Sequence, residues 1–387
     1  MPVPFSIICL SSQRWAGVLP TNRQQIMIRA ARRGHRVLFV ETADFVGKRV
    51  RPTSTPLHPV EGIEVNRLHN IAPFSQRYGL ANELNFRFGA GSAQRAARRL
   101  GQPRVLWIYD PRGAAAIGRF GEDLVVYDCV DDYGQQVGGS KRAQQLISRL
   151  DIEVASRADL VFATTERLRS RHDRPRGGVH LVPNVGDFDH FRPAADRSLA
   201  DPELLELPRP VLGFAGNLIA TKVSFDILEH VATSFPDATV LLVGPAQPSV
   251  LDRLHRLLDE HPNVRWTGLR PYDTLPAAVA AFDVALIPYV LNEYTRSVFP
   301  LKVYEYLAAG KPVVASGVPS VSMLAPHLTL ADDPAAFTAA VADAIANGDA
   351  GREARIAIAA TNTWEHRAER LLGLIDEELA RARPRRD

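Results

Sequence analysis

A lysine and a glutamate three residues apart are the side chains in this sequence best suited to chemistry. Pro300 precedes Lys302 and Glu305, and Gly310 follows, a pattern that predicts a short helix begun by proline and ended by glycine. A cation in a first helical turn opposes the helix dipole, and an anion bound there would remove that cost. Glu305 lies one turn further along and could accept hydrogen bonds from two neighbouring hydroxyls, as on a ribose. The pair therefore predicts a site for a nucleotide diphosphate.

A second lysine follows a strand-like run that ends in a glycine-containing turn. Gly216 and Asn217 follow the run, and we expect Lys222 to open the next helix. Phosphate is the expected partner of a lysine in that position. The alternatives are a solvated Lys222 and a surface ion pair between Lys302 and Glu305, which contributes only about 0.2–0.5 kcal/mol. The combination of both motifs favours the phosphate site.

Acidic residues gather after strand-like runs in the first half of the chain. Asp131 and Asp132 follow one such run, and Asp110 follows another. Active-site groups collect at the carboxyl ends of parallel strands, and adjacent acids repel, which can raise one pKa and produce a usable base. We expect Asp131 to be that base, since Asp132 could simply cap the next segment, with Asp110 as the second candidate. The alternative is that these acids are solvated loop residues or helix caps.

The elements that must position these side chains are short strands alternating with helices. This alternation predicts βαβ units on parallel sheets, because parallel strands need helical crossovers. The predicted strands are Phe5–Leu10, Val37–Val40, Ile63–Arg67, Arg104–Tyr109, Leu124–Tyr127, Leu160–Ala163 and Val179–Val182, then Val211–Ala215, Thr239–Val243, Val264–Trp266, Val284–Ile287 and Pro312–Ala315.

A proline-rich stretch without periodicity interrupts the alternation near residues 183–210. We therefore predict an α/β protein of two doubly wound, Rossmann-like domains facing across a cleft. The predicted boundaries are a first Rossmann-like domain at 1–190, a linker at 191–209, a second Rossmann-like domain at 210–362 and a C-terminal helix at 363–387. The helix is amphipathic, and we expect it to pack back toward the first domain.

Composition narrows the class of protein. The chain has 387 residues, 46% hydrophobic and 23% charged, which is ordinary for two or three globular domains. No apolar run approaches the roughly 18 residues of a membrane helix, and the first residues do not have the pattern of a signal peptide. Two cysteines, Cys9 and Cys129, exclude a disulfide scaffold and a cysteine-rich metal site. We therefore expect a cytoplasmic protein.

The charge is unevenly distributed. Residues 1–193 contain 28 lysines and arginines against 18 acids, a net charge of +10, whereas residues 194–387 have a net charge of −7. We predict that the basic half docks as a peripheral protein on an anionic membrane surface, the inner face of the cell membrane. The alternative is that its aromatic residues are core. Nucleic-acid binding is disfavoured because no recognised module accompanies the basic runs. The proposed docking residues are Arg77, Tyr78, Leu80, Leu84, Phe86, Arg87, Phe88, Arg95, Arg98 and Arg99.

These motifs resemble those of glycosyltransferases of the GT-B architecture, of the family 4 type and the branch with teichuronic-acid and xanthan glucuronosyl transferases. Gly216 with Lys222 resembles the donor-phosphate element G-R-L-x-x-x-K, and Glu305 resembles the second glutamate of E-x7-E, which binds the ribose. Lys302 resembles a lysine that reaches the diphosphate in that branch. The sequence departs from the pattern at Asn217, where arginine is usual, and at Ser297, where the first glutamate stands.

The resemblance implies transfer of a sugar from a nucleotide diphosphate sugar to a saccharide or lipid-linked saccharide, in cell-surface polysaccharide or glycolipid synthesis. It implies that Lys222 and Lys302 contact the diphosphate, that Glu305 contacts the ribose, and that Arg270 lies near the base. It also implies that the domain at 1–190 binds the acceptor and that the domain at 210–362 binds the donor, and it favours Asp131 as the catalytic aspartate of the first domain. The alternatives are a sugar-nucleotide epimerase of the same fold and a non-catalytic nucleotide-sugar binding protein. A NAD-dependent dehydrogenase is disfavoured, because no G-x-G-x-x-G follows the first strand of either domain.

The sequence predicts no metal ion and no cofactor. Asp187 and Asp189 match the D-x-D motif that another glycosyltransferase architecture uses for metal, but they follow Pro183 and Asn184 in a turn-favouring stretch. We interpret them as structural. No other cluster of carboxylates, histidines and cysteines stands out, so lysines and helix N-termini would stabilise the diphosphate charge.

Overall fold

The computed structural model describes residues 4–16, 20–45, 60–70, 78–136, 141–172 and 175–382. The chain divides into two compact units. The first consists of residues 1–183 together with 367–387, and the second consists of residues 184–366. Among the described residues, no helix combines enough length and apolar character to span a lipid bilayer. Arg77 lies outside the described residues.

The first unit is built on a parallel sheet of seven strands, in the order β3-β2-β1-β4-β5-β6-β7. Its central strands are buried and mostly apolar, because helices cover a parallel sheet on both faces. The strands are β1 (Ser6–Ser11), β2 (Arg36–Phe45), β3 (Ile63–Asn70), β4 (Arg104–Ile108), β5 (Leu124–Cys129), β6 (Leu160–Ala163) and β7 (Val179–Leu181).

The helices of the first unit cross between these strands. They are α1 (Asn22–Arg32), α2 (Gly79–Gly89), α3 (Gly91–Arg98), α4 (Tyr133–Gln136), α5 (Lys141–Arg157) and α6 (Glu166–Arg169), with a 3₁₀ turn at Pro111–Ala116. Local sequence explains several of the starts. Thr21 and Gln24 form a capping box at α1, and the hydroxyl of Thr165 accepts a hydrogen bond from the Leu168 amide at α6.

The second unit has a parallel sheet of six strands, in the order β10-β9-β8-β11-β12-β13. The strands are β8 (Val211–Ala215), β9 (Thr239–Val243), β10 (Val264–Trp266), β11 (Val284–Ile287), β12 (Val313–Ala315) and β13 (Thr329–Leu330). All twelve predicted strands are present in the two sheets, with ends that differ by a few residues. The two-residue β13 was not predicted, since a strand that short leaves no periodicity to detect.

Helices and 3₁₀ turns complete the second unit. The helices are α7 (Phe188–Phe191), α8 (Pro202–Leu205), α9 (Phe225–Ser234), α10 (Leu251–Glu260), α11 (Leu275–Ala280), α12 (Lys302–Ala308), α13 (Pro334–Asn347) and α14 (Arg352–Ala360). The 3₁₀ turns are Arg192–Ala195, Arg197–Leu199, Pro248–Val250, Tyr272–Thr274, Thr295–Ser297 and Pro319–Leu324. The prediction of two doubly wound α/β domains is confirmed by these two parallel sheets with their crossover helices.

The stretch predicted as a linker is folded rather than extended. Residues 191–209 form 3₁₀ turns and the helix α8, and Phe191, Ala194, Ala200 and Leu204 are part of the hydrophobic core of the second unit. Prolines at the starts of these turns explain why no helical periodicity is visible in the sequence.

The last helix, α15 (Trp364–Ala382), returns the chain to the first unit. Its side chain Arg367 is fully buried and lies 3.3 Å from the buried Asp128 carboxylate at Oδ1. The same guanidinium donates hydrogen bonds to the carbonyls of Val182 and Pro183. A buried ion pair and two main-chain contacts therefore attach the C-terminal helix to the sheet of the first unit.

Both sheets have a point at which the strand order reverses. The chain builds the first sheet outward from β1 to β3 and then continues on the other side of β1 with β4. In the second sheet the reversal lies between β8 and β11. In doubly wound sheets, ligands bind beyond the carboxyl ends of the strands at such a reversal. The residues that follow β8 and β11 are therefore where a ligand of the second unit is expected.

Candidate functional site

Two glycines allow the main chain to pack closely at the carboxyl end of β8. Gly216 has a φ of +154° and donates a hydrogen bond of 2.8 Å to the Val243 carbonyl. A Cβ on Gly244 would lie 2.3 Å from the carbonyl oxygen of Gly216, which no side chain could tolerate. The turns after β8 and β9 are thus in main-chain contact, and the absence of a side chain leaves space beside Gly216.

The end of the Lys302 side chain occupies the space beside Gly216. Its ammonium donates a hydrogen bond of 2.9 Å to the hydroxyl of Tyr289, the second residue after β11. The same Nζ lies 5.1 Å from the ring centroid of Phe214 and 5.2 Å from that of Tyr289. A Cβ on Gly216 would lie 3.0 Å from it. The predicted diphosphate lysine therefore lies at the strand reversal, between aromatic faces that stabilise a cation.

Lys222 contributes a second positive charge to the same place. Burial alone would raise the pKa of Tyr289, but the charges of Lys302 and Lys222 lower it overall. Lys222 does not open a helix as expected, because Ser224 caps α9 by accepting a hydrogen bond from Ile227 and the helix begins one residue later. The lysine lies in the preceding turn, with its ammonium 5.2 Å from the ring centroid of Tyr294.

Glu305 follows Lys302 on the first turn of α12. Burial raises the pKa of Glu305 to about 7, Lys302 opposes that rise, and the nearby Asp187 adds to it. Asp187, from the D-x-D sequence, accepts a hydrogen bond of 3.0 Å from the Tyr272 hydroxyl. A carboxyl group that titrates near neutrality beside a lysine is typical of a functional site.

Residues 184–186, which precede α7, pack directly on the start of α12. A Cβ on Gly186 would lie 2.7 Å from the Cβ of Tyr304, and the side-chain amide of Asn184 donates a 3.2 Å hydrogen bond to the Phe299 carbonyl. Close packing on both sides fixes the position of the turn that carries Lys302 and Glu305.

The other predicted donor residues have different surroundings. Asn217 is exposed, whereas Ser297 is fully buried and its hydroxyl makes no hydrogen bond within the described part of the chain. Arg270 forms ion pairs with Asp201 and Glu203. Its predicted place near a base stays a prediction, and taking that place would require the guanidinium to leave two carboxylates.

In the first unit, the predicted acids lie at the carboxyl ends of β4 and β5. Asp131 is half-buried and accepts hydrogen bonds of 3.1 Å from the Asp132 amide and 3.2 Å from the Gln136 side chain. Asp132 is buried, caps α4 through the Gln135 amide at 3.2 Å and forms an ion pair with Arg171. Asp132 therefore has the structural contacts expected of a cap.

The carboxylate of Asp110 forms an ion pair with Arg112. Burial favours its neutral form, but two-pronged contact with Arg112, including a 2.6 Å hydrogen bond to Oδ2, lowers its pKa overall. A carboxylate stabilised in this way is a poor proton acceptor, because protonation would cost the arginine contact.

Sequence reasoning missed an arginine beside these acids. Arg23 of α1 is buried, donates a hydrogen bond to the Tyr133 hydroxyl and lies 5.1 Å from the ring centroid of Tyr109. An arginine within a helix of mixed polarity carries no sequence signal of its own. Only the packing of α1 on the sheet brings it to the strand ends.

Comparisons with known sequences show which proteins this chain resembles. Residues 209–347 match the family model described as glycosyl transferases group 1. The chain is 32% identical over 280 residues to TuaH of Bacillus subtilis, which carries the name of a teichuronic acid biosynthesis glycosyltransferase, and the match covers 68% of this chain and 70% of TuaH. It is 31% identical over 152 residues to 2-deoxystreptamine glucosyltransferase of Streptomyces kanamyceticus, covering 36% of this chain and 37% of that enzyme.

Solved structures share the fold over almost the whole chain. HepE of Anabaena in complex with UDP and glucose has a TM-score of 0.71 at 17% identity, covering 95% of this chain and 98% of that one. Sucrose-phosphate synthase of Thermosynechococcus elongatus has a TM-score of 0.74 at 19% identity, covering 97% and 100%. These likenesses establish the two-domain architecture named GT-B.

Proposed function

The chain belongs to the group 1 glycosyl transferases, and from that premise we propose that it transfers a sugar from a UDP-sugar to a saccharide or lipid-linked saccharide. The observation that carries the proposal is the convergence of Lys302 and Lys222 at the strand reversal of the second sheet, with Glu305 one turn along α12. UDP is the donor nucleotide of first choice because HepE, which shares the fold, is known in complex with UDP.

Each residue has a distinct part in donor binding. Lys302 and Lys222 contact the diphosphate, replacing the hydrogen bond to Tyr289 and the contact with Tyr294 that they make in the free protein. Glu305 accepts hydrogen bonds from the ribose hydroxyls. Ionisation of Glu305 accompanies binding, because a carboxylate is a stronger acceptor than a carboxylic acid and the pKa near 7 makes its loss of a proton inexpensive.

The lysines also act on the chemical step. Negative charge grows on the diphosphate as the bond to the sugar breaks, so fixed cations stabilise the transition state more than the bound donor. We propose that this charge makes transfer independent of a metal ion at the donor. Lys302, Lys222 and Glu305 contact only the nucleotide portion of the donor. They would therefore bind a hexosyl donor and a glycuronosyl donor equally well.

The acceptor side is assigned to the first unit. Asp131 takes the proton from the acceptor hydroxyl if the reaction inverts the anomeric centre, and orients that hydroxyl if the reaction retains it. Its carboxylate accepts hydrogen bonds from the Asp132 amide and the Gln136 side chain. We assign the base to Asp131 because it is half-buried at the carboxyl end of β5, whereas Asp132 caps α4.

We also propose a peripheral location on the cytoplasmic side of the membrane, which the surface of the first unit supports. Tyr78, Leu80 and Phe88 are 47%, 73% and 60% exposed on and before α2, while Phe86 is core. Arg87, Arg95 and Arg98 are exposed nearby on α2 and α3. An anionic bilayer complements this mixture of arginines and exposed apolar side chains. A lipid-linked acceptor for cell-surface polysaccharide synthesis would be reached from there, and TuaH is named for teichuronic acid biosynthesis.

A donor panel tests the proposal. The purified chain is incubated with UDP-, GDP- and dTDP-sugars, with and without lipid-linked saccharide acceptors, and free nucleoside diphosphate is measured. Acceptor-dependent release from a UDP-sugar is expected. A change in the sugar without an acceptor would identify an epimerase, and binding without turnover for any acceptor would identify a nucleotide-sugar binding protein; either outcome would overturn the proposal.

A further inference from the structure

A cysteine, an aspartate and a histidine that are distant in sequence meet inside the first unit. Cys129 ends β5, Asp151 lies in α5 and His172 follows α6. Their ligand atoms all lie within 4.8 Å of one another, and all three residues are buried. We propose that Cys129, Asp151 and His172 bind one Zn²⁺ ion that has a structural role, separate from the donor site.

The carboxylate of Asp151 lies between the other two side chains, with one oxygen close to each of them. His172 Nε2 lies 3.6 Å from Asp151 Oδ2, and Cys129 Sγ lies 3.9 Å from Asp151 Oδ1. Tetrahedral zinc with ordinary bond lengths places nitrogen and oxygen ligands about 3.4 Å apart, and sulfur and oxygen ligands about 3.6 Å apart. Each spacing exceeds the tetrahedral value by a few tenths of an ångström, but the two involve different oxygens of Asp151, so the carboxylate must rotate for one oxygen to approach both partners.

Neighbouring groups already orient the ligands. The hydroxyl of Tyr127 donates a hydrogen bond to Asp151 Oδ1, which leaves Oδ2 directed at the imidazole. The Tyr127 ring lies edge-on to the His172 ring at 5.9 Å between centroids. Hydrogen bonds to ligating carboxylates are a regular feature of metal sites, because they fix the carboxylate's rotation.

The charges favour a divalent cation of this type. A thiolate, a carboxylate and a neutral imidazole carry a total charge of −2, which Zn²⁺ neutralises, and uncompensated charge is costly in the protein interior. Arg171, the adjacent cation, is paired with Asp132. Mixed sulfur, nitrogen and oxygen ligands suit zinc better than magnesium or calcium, which prefer oxygen alone.

The ion would brace the segment that carries the proposed base. Cys129 lies two residues before Asp131, and its Sγ is 3.8 Å from the Asp131 carbonyl. Attaching the end of β5 to α5 and to the segment after α6 would limit the movement of that segment. The three protein ligands are buried, and they leave the fourth position of a tetrahedral zinc ion to a water molecule or another group.

The wild-type protein provides the first test. Full-length chain purified from zinc-supplemented culture is desalted, and its metal content is measured by mass spectrometry; about one zinc per chain is expected. The Co²⁺-substituted protein should show a sulfur-to-cobalt charge-transfer band. Cys9→Ser is the matched control, because Cys9 is the other buried cysteine and lies on β1 of the same sheet. Retention of the band in Cys9→Ser assigns it to Cys129, since the chain has two cysteines.

Variants provide the second test. His172→Gln and Cys129→Ser should lose the bound zinc while UDP affinity, which depends on the second unit, stays within about twofold. Absence of stoichiometric metal in wild type, or equal zinc in Cys129→Ser and wild type, would overturn the proposal and leave a buried His172–Asp151 ion pair. Because the wild-type and Cys9→Ser spectra do not depend on these variants, the result stands even if the variants fold poorly.

Discussion

The ammonium of Lys302 lies 2.9 Å from the hydroxyl of Tyr289, in close contact with Gly216, where a Cβ would lie 3.0 Å from it. The contact joins the first residue of α12 to the residues that follow β11, at the point where the strand order of the second sheet reverses. A lysine poised there with a phenol as its partner can exchange that neutral contact for a diphosphate at little cost.

Replacement of Lys302 by alanine should weaken UDP binding by about 10–100-fold, since a hydrogen bond to a charged group contributes about 1.5–3 kcal/mol. Turnover should fall as well, because the lysine contacts the group on which charge develops. Calorimetric titration with UDP and a steady-state assay measure the two effects. Lys141→Ala removes an exposed lysine of the first unit and serves as the control. Wild-type affinity and rate in Lys302→Ala would contradict the assignment.

UDP affinity should depend on pH through Glu305. Its pKa is about 7 in the free protein, so below pH 7 a proton must be lost before the carboxylate can bind the ribose, and affinity should fall up to tenfold per pH unit. Glu305→Gln should bind UDP more weakly and with a flatter profile. The titration of UDP itself is common to both proteins and cancels in the comparison. Parallel profiles for the two would show that Glu305 does not take part.

The same shift predicts how Glu305 affects stability without ligand. Its pKa rises from the ordinary 4.5 to about 7, so the folded state holds the proton more tightly than the unfolded chain does. Its contribution is therefore favourable at low pH and is lost as the pH rises from about 4.5 to about 7. Denaturant unfolding of wild type and Glu305→Gln at pH 5 and pH 8 measures it. The variant should gain relative stability at the higher pH, and an equal difference at both values would refute this account.

Asp131→Asn should reduce turnover by about 10²–10⁴-fold, the usual contribution of a general base, while UDP affinity stays unchanged. Asp132→Asn should act differently: it weakens the ion pair with Arg171 and lowers the melting temperature more than the rate. Single-turnover assays and thermal unfolding on both variants separate the two roles. A near-normal rate for Asp131→Asn would contradict the assignment and favour a reaction without a protein base, since Asp110 is paired with Arg112.

Arg367→Met should destabilise the protein by about 3–5 kcal/mol, because it leaves the carboxylate of Asp128 buried and unpaired. Burial raises the pKa of Asp128 even with Arg367 beside it, so its neutral form should predominate in the variant. Adding Asp128→Asn should recover part of the loss. Urea unfolding is the measurement, and Arg370→Met, an exposed arginine on the same helix, should change stability by no more than about 0.5 kcal/mol. A small effect of Arg367→Met would show that the pair is dispensable.

Binding to vesicles should require anionic lipid and low salt. Arg95, Arg98 and Arg99 are exposed, and basic residues near an anionic surface contribute about 1 kcal/mol each. Conversion of all three to serine should therefore weaken co-sedimentation by at least tenfold, and Leu80→Ser should weaken it on the apolar side. The matched control is a triple variant elsewhere on the first unit, in which serine replaces Arg167, Arg169 and Arg176. Equal partition onto neutral and anionic vesicles would favour a soluble acceptor.

Much of the fold can be predicted from local sequence patterns. Buried parallel strands are short apolar runs between turn residues, so Val211–Ala215 and Thr239–Val243 are visible without a structure. The start of α12 is equally local, because Pro300 and Lys302 mark it within three residues. The two-residue β13 and the proline-led turns of residues 191–209 carry too short a pattern to be detected.

The partners of the site residues were decided by tertiary packing. Lys302 meets Tyr289 across an irregular loop, Arg270 pairs with Asp201 from 69 residues away, and Arg367 reaches Asp128 across 239 residues. A side chain's type is visible in the sequence, but its neighbours depend on which strand ends and helix faces the fold brings together. The sequence alone therefore determined the two sheets and identified the lysines and glutamate of the proposed donor site. Only the structure decided the meeting of Cys129, Asp151 and His172, because no local pattern links three residues on separate elements.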